Sequence, residues 1–293
     1  MKPKAFPMTR IIALTLALAF GCVPQVFGQK IRVLVAYAQN VPSQMEIIER
    51  APREFFTEHV IALTNDYFSN SATTGLAMPT VELAGMVQVD YVVPSTDTLQ
   101  YYLDTLIDGN DGVLDELHYL RDLYAADVVA LIHAPGGGSQ VDCSMGGIDT
   151  CSSGIGASAE YGFMILGFWD MFDLMDDIPA HELGHLFGCR HEFSSDSILI
   201  PYAYGHGFSV PHGPGGVQLG DVMSTYSGVL YSPRIPWFSN PGLSYLSIPS
   251  GDSTIAFCSR VIHERKGDLS DFRSPLSHAV VQNLTMQAED YGD

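Results

Sequence analysis

The stretch IPAHELGHLFGCRHEF, residues 178–193, constrains the fold more than any other part of the chain. It places His181, His185 and His191 at spacings of four and six, with Glu182 after the first and Gly188 three residues from each of the last two. As a helix over 176–188, it puts His181 and His185 one turn apart on the same face, so both rings reach one ion. Glu182 is rotated about 100° round that helix, too far to join them as a ligand but near enough to touch a water at the ion. Asp176 or Asp177 is the expected N-cap, with Pro179 in the first turn. The helix must stop at Gly188, because a glycine there takes a left-handed conformation without a Cβ penalty. The reversal then returns His191 to the same point. Three neutral imidazoles leave a fourth tetrahedral position open, the arrangement of a catalytic rather than a structural zinc site. Such an ion acidifies its water from about 15.7 towards 7 and polarises a carbonyl. Glu182 would then be the catalytic base and afterwards the acid.

The rest of the chain can enclose such a site. At 293 residues, 46% hydrophobic and 16% charged, it can bury a large core. IRVLVAYA (31–38), TVELAGMVQVDYVV (80–93), DVVALIH (127–133) and FMILGF (163–168) read as strands. Helical spacing runs from Met45 to Phe68, with Pro52 kinking or restarting the helix. Further helices are expected near 97–107, 114–124 and 252–272, and His133 reads as a core or rim histidine. Strands alternating with helices, closed by a Gly/Pro/Ser-rich C-terminal part, give an α/β (α+β) domain with a mixed sheet over 29–273, followed by a tail, 274–293.

Residues 1–28 have the form of an export signal: Lys2, Lys4 and Arg10, then the apolar run IIALTLALAF, too short to span a membrane. The expectation is a secreted, monomeric protein. Lipid anchoring through Cys22 is the minor alternative, since AFGC lacks the usual leucine three residues ahead. The net charge of −19, more negative still without the leader, excludes nucleic acid as a partner. DGNDGVLDE (108–116) lacks the glycine at position six of a helix-loop-helix calcium loop, so no motif supports calcium and a solvated turn is expected. Four cysteines remain after the leader: Cys143, Cys151, Cys189 and Cys258. In an exported chain they suggest two disulfides with three connectivities; pairing Cys143 with Cys151 leaves Cys189 with Cys258.

The pattern H-E-x-x-H-x-x-G-x-x-H with a methionine turn downstream is the metzincin signature, and GDVMSTYS (220–227) supplies Met223, with Gly188 and Met223 structural at the site. Together with YAYGHGF (202–208) and RIPWFSNPG (234–242), residues 31–273 resemble the secreted reprolysin-like zinc peptidases, the peptidyl-Asp group in particular. The resemblance implies a zincin domain with a twisted sheet and long helices above a cleft, and a loop-rich lower part ending in a helix. It implies a secreted endopeptidase acting on protein or peptide substrates. It also implies an antiparallel edge strand pairing with extended substrate. GIGASA (154–159), with Gly154, Ile155 and Gly156, is either that edge or a flexible loop. His206 in YGHG reads as structural, and Tyr226 as a candidate for stabilising the oxyanion. Arg234 is either the cation that favours an acidic side chain after the cut or a solvated surface arginine. Glu192 departs from the aspartate usual after the third histidine in reprolysins. The rival expectation is a secreted zinc-containing binding or adhesion module without turnover, which retention of Glu182 disfavours.

Overall fold

A strand covered on both faces needs an almost continuous apolar run, and the first and third strands expected from the sequence are such runs. The computed structural model describes residues 28–92, 99–134, 159–173, 177–210, 218–225 and 234–273. Its main sheet holds β1 (Lys30–Ala38), β2 (Thr80–Val89), β3 (Val128–His133) and β4 (Phe163–Gly167) in the order β2-β1-β3-β4. Val35 of β1 lies between Met86 of β2 and Ala130 of β3, and Leu131 pairs with Ile165 of β4. A register shift between Val33 and Leu34 leaves Ala84 without a counterpart.

All four described strands of this sheet run parallel. Antiparallel pairing is confined to two short ribbons, β5 (Ser209–Val210) with β6 (Leu219–Gly220) and β7 (Asn240–Tyr245) with β8 (Ile248–Ser250). Among the described residues the main sheet is thus wholly parallel. The candidate edge strand with Gly154, Ile155 and Gly156 lies outside them.

Alternation along each strand divides the interior into two cores. Ile31, Val33, Val35, Ala130, Ile132, Met164 and Leu166 face one; Leu34, Ala36, Val129, Leu131 and Ile165 face the other. The second core is closed by Tyr102, Leu103 and Leu106 of α4 (Leu99–Ile107) and Leu117 of α5 (Glu116–Leu123). The first is closed by the helices between β1 and β2. These are α1 (Val41–Ile47), α2 (Pro52–Phe56), a π-helical stretch (Thr57–Ala62) and α3 (Leu63–Ser71). Pro52 begins α2, where its missing N–H is no loss. α6 (Phe168–Asp173) follows β4 directly and leads to α7 (Ile178–Phe187), which packs in the first core through Leu183 and Phe187.

The last helix, α8 (Cys258–Ser270), starts later than the periodicity from 252 predicts. Asp252 Oδ1 accepts the amides of Thr254 (2.8 Å) and Ile255 (3.1 Å), which closes a turn there instead. The 108–116 segment is the expected turn. Asp108, Asp111 and Asp115 each accept amides of the loop itself, from Asn110, Val113 and Gly112.

Candidate metal centre

α7 is built to end at a fixed point. Gly188 has φ +99°, and the reversal is closed by Gly188 N donating to His185 O (2.8 Å) and Cys189 N donating to Gly184 O (3.0 Å). A β-carbon at Gly188 would be strained by that φ and would press on Pro201 and Tyr202 at 3.2 Å. Beyond the turn, Arg190 N donates to Gly205 O (2.8 Å) and Gly207 N to Arg190 O (2.9 Å). This short pairing with YGHG carries His191 back to the helix. His206 is fully buried, with Nδ1 3.0 Å from the His191 carbonyl, so it holds the third histidine's backbone, the structural role expected of it.

The three rings converge. His181 Nε2 and His185 Nε2 are 3.1 Å apart, His185 and His191 3.1 Å, His181 and His191 3.3 Å. Among the described residues, these three form the group of His, Cys, Asp or Glu side chains positioned to hold an ion. The tautomers of two rings follow from what stands behind them. His181 Nδ1 is 2.7 Å from Val222 O and His185 Nδ1 is 2.9 Å from Cys189 O. A carbonyl only accepts, so each Nδ1 carries the hydrogen and each Nε2 turns a lone pair inwards. Burial, followed by the neighbouring histidines, pushes His181 down to about 3 and His185 well below the usual histidine value, which keeps both rings neutral. Converging lone pairs repel unless a cation lies between them. Tetrahedral zinc with Zn–N of about 2.0–2.1 Å separates its nitrogens by about 3.3 Å, so the donor set fits that ion.

Glu182, next to His181 on α7, is buried at the same site. Met223 lies beneath the helix. A β-carbon on Gly184 would sit 2.4 Å from Met223 Sδ and 2.8 Å from the Phe238 ring, so the glycine admits the methionine turn against α7.

Glu192 clasps that turn. Its carboxylate accepts Thr225 N (2.7 Å), Thr225 Oγ1 (2.6 Å) and Ser195 Oγ. Sequence reasoning noted Glu192 only as a departure, although an acid beside the third ligand was the available signal. The carbonyls of Val222 and Cys189 were unreadable, because a backbone acceptor leaves no residue signature. Asp221, fully buried, accepts Met223 N at 3.0 Å; burial raises it to about 7, opposed by backbone amides and Arg234.

Two expectations are corrected. Arg234 is not a solvated surface cation, having only 13% of its side chain exposed, and it is engaged with Asp177 at 3.0 Å and with turn carbonyls. Asp177 stands at the N-cap but makes no capping hydrogen bond through its side chain. Nor is there a Cys189–Cys258 disulfide. Both are buried thiols, with Cys189 Sγ donating to the Cys258 carbonyl (3.7 Å) and Cys258 Sγ to that of Gly205 (3.3 Å). Cys22, Cys143, Cys151, Tyr226, residues 1–27 of the expected leader and the expected tail 274–293 lie outside the described residues.

Comparison with known proteins bears on this centre directly. The profile of the metallo-peptidase family M12B, reprolysin-like, matches residues 29–247. A peptidyl-Asp metalloendopeptidase of Stenotrophomonas maltophilia (strain K279a) is 31% identical over 252 residues, 83% of this chain and 52% of the relative. One of Xanthomonas campestris pv. campestris is 32% identical over 164 residues, 56% of this chain and 35% of the relative. The chain thus spans about half the length, or less, of these curated relatives. A solved structure described as a chaperone-substrate complex superimposes with TM-score 0.59 at 20% identity, over 85% of this chain and 35% of that one, a likeness of fold alone. With a profile match over most of its length and a relative of this identity, the chain belongs to the metallo-peptidase family M12B, reprolysin-like.

Proposed function

We propose that the chain is a secreted, zinc-dependent endopeptidase whose metal ligands are His181, His185 and His191 and whose catalytic base is Glu182. The carrying observation is the convergence of three imidazole nitrogens at 3.1–3.3 Å, two of them with Nδ1 against a backbone carbonyl. Zinc held there would supply Lewis acidity to the scissile carbonyl and to water. The chain's own part is proton transfer and alignment. Glu182 takes the proton of the attacking water and returns it to the departing amine. Glu182 is buried beside the converging rings, next to His181 on α7. Val222 O and Cys189 O keep two ligands in the tautomer that presents Nε2.

The names of the relatives suggest peptide bonds at aspartyl residues as substrates. Export is suggested by the Lys/Arg-led apolar run at 1–28. No helix among the described residues is long and apolar enough to cross a membrane.

Purified chain, with and without a zinc chelator, should be assayed on casein and on a mixed peptide library. Internal cleavage that the chelator stops and added zinc restores is the expected result. Zinc-replete, folded protein that cuts nothing would overturn the proposal in favour of a non-catalytic binding module.

A further inference from the structure

Arg234 makes a set of contacts that the proposed chemistry does not use. Its Nε is 3.0 Å from Asp177 Oδ2, at the residue that precedes α7. Its Nη1 donates to Asp221 O (2.7 Å), to Ser224 Oγ (3.0 Å) and to Ser224 O. Both ends are enclosed: 13% of the arginine side chain and 1% of the aspartate side chain are exposed. Asp221 and Ser224 bracket Val222, whose carbonyl stands 2.7 Å behind the His181 ring. The arginine's own backbone is fixed to the segment feeding the turn, through the pairing of Gly220 with Arg234 and Ile235 N donating to Gly220 O (2.7 Å).

We infer that Arg234 is a positioning residue of the metal centre: it ties the start of the zinc-ligand helix to both ends of the turn that orients His181. This rests on the zinc peptidase reading above. A planar guanidinium suits the task because its nitrogens point to separate acceptors at once, whereas an ammonium is a single point. The Asp177 carboxylate faces Arg234 instead of capping α7. Its charge is thereby matched inside the protein, so Arg234 does not serve as the cation that reads an acidic substrate side chain. The intervening 226–233 carries no lysine or arginine that could take that role.

The test uses the full chain, Arg234→Lys and Asp177→Asn. Zinc affinity is measured by competition with a chromophoric chelator, and the ligand geometry by the visible spectrum of the Co2+-loaded protein. kcat/KM is measured at saturating zinc on two peptides differing only in Asp or Asn at the cleavage position. Loss of an outer contact to a metal ligand weakens metal binding by about 10–100-fold. Arg234→Lys should do so, shift the Co2+ bands, and lower kcat/KM by a similar factor for both peptides. Asp177→Asn, nearly isosteric, should move zinc affinity in the same direction by less, and it decides the matter if Arg234→Lys fails to fold. Unchanged zinc affinity and Co2+ spectrum, with a loss confined to the Asp peptide, would overturn the inference and make Arg234 a substrate-reading residue. Variants indistinguishable from the parent in every readout would overturn it as well. A parent chain that binds zinc yet cleaves neither peptide defeats the peptidase reading and leaves the zinc measurements to decide this one.

Discussion

Glu182 and Glu192 are both buried acids of the segment that carries the three converging histidines, and substitution separates the roles proposed for them. Under the proposed function Glu182 moves a proton and does not ligate, so Glu182→Gln should leave zinc at one per chain by metal analysis. General acid–base catalysis contributes about 10²–10⁴-fold, and kcat/KM should fall by that much. Loss of the metal with the activity would show that Glu182 is structural. Glu192 instead accepts Thr225 N and Oγ1 across to the methionine turn. Truncation to alanine leaves those donors in a half-buried place, and orphaning such a group costs about 1–3 kcal/mol. Glu192→Ala should therefore lower the urea midpoint by that equivalent with an unchanged m-value. Of the two glutamates, the one with the proposed proton-transfer role was legible from its place in the motif. The clasping one was not, because its partner lies 33 residues away and contributes a backbone amide.

The element that matters most is α7, and its shape comes from two glycines with different duties. Gly188 ends it with φ +99°, a conformation that costs a side-chain-bearing residue about 1–2 kcal/mol. Gly184 lies in its middle, where the sequence offers no reason for a glycine that costs about 1 kcal/mol against alanine. The structure supplies the reason, since Met223 Sδ occupies the space a β-carbon would need. Gly184→Ala should destabilise the protein by about 1–3 kcal/mol through overpacking, reversing the usual gain from alanine in a helix. An unchanged or raised denaturation midpoint would show that the turn yields freely. The strands, the helix restart at Pro52 and the stop at Gly188 could be read in advance because each is encoded within a few residues. The late start of α8 could not, because side-chain acceptance by Asp252 outweighed helical periodicity. The absence of a Cys189–Cys258 bond shows the same limit: an even cysteine count gives pairing possibilities, whereas each thiol here donates to a carbonyl.

At the scale of the molecule, the beginning and end of the described segment are held by one residue outside the histidine cluster. Asp127, 1% exposed, accepts Arg32 N of β1 through Oδ2 (2.8 Å) and Arg273 N beyond α8 through Oδ1 (3.1 Å). Burial raises its carboxyl to about 6, and the two amides and nearby arginines only partly offset this. An unfolded aspartate titrates near 3.9. Between about pH 4 and about pH 6, the folded chain therefore retains a proton that the unfolded chain has released. Stability changes with pH as the protons bound unfolded minus those bound folded. That difference is negative in this window, so Asp127's contribution declines as pH rises through it and is level on either side. Asp127→Asn removes the titration but keeps a similar shape, and whatever the amide costs is the same at every pH. Melting temperatures of parent and variant, taken in steps from pH 4 to pH 7, should thus differ by an amount that shifts in the variant's favour up to about pH 6 and then stops. Parallel melting curves across the range would mean that Asp127 is ionised in the folded state throughout, with the Arg32 and Arg273 amides outweighing its burial.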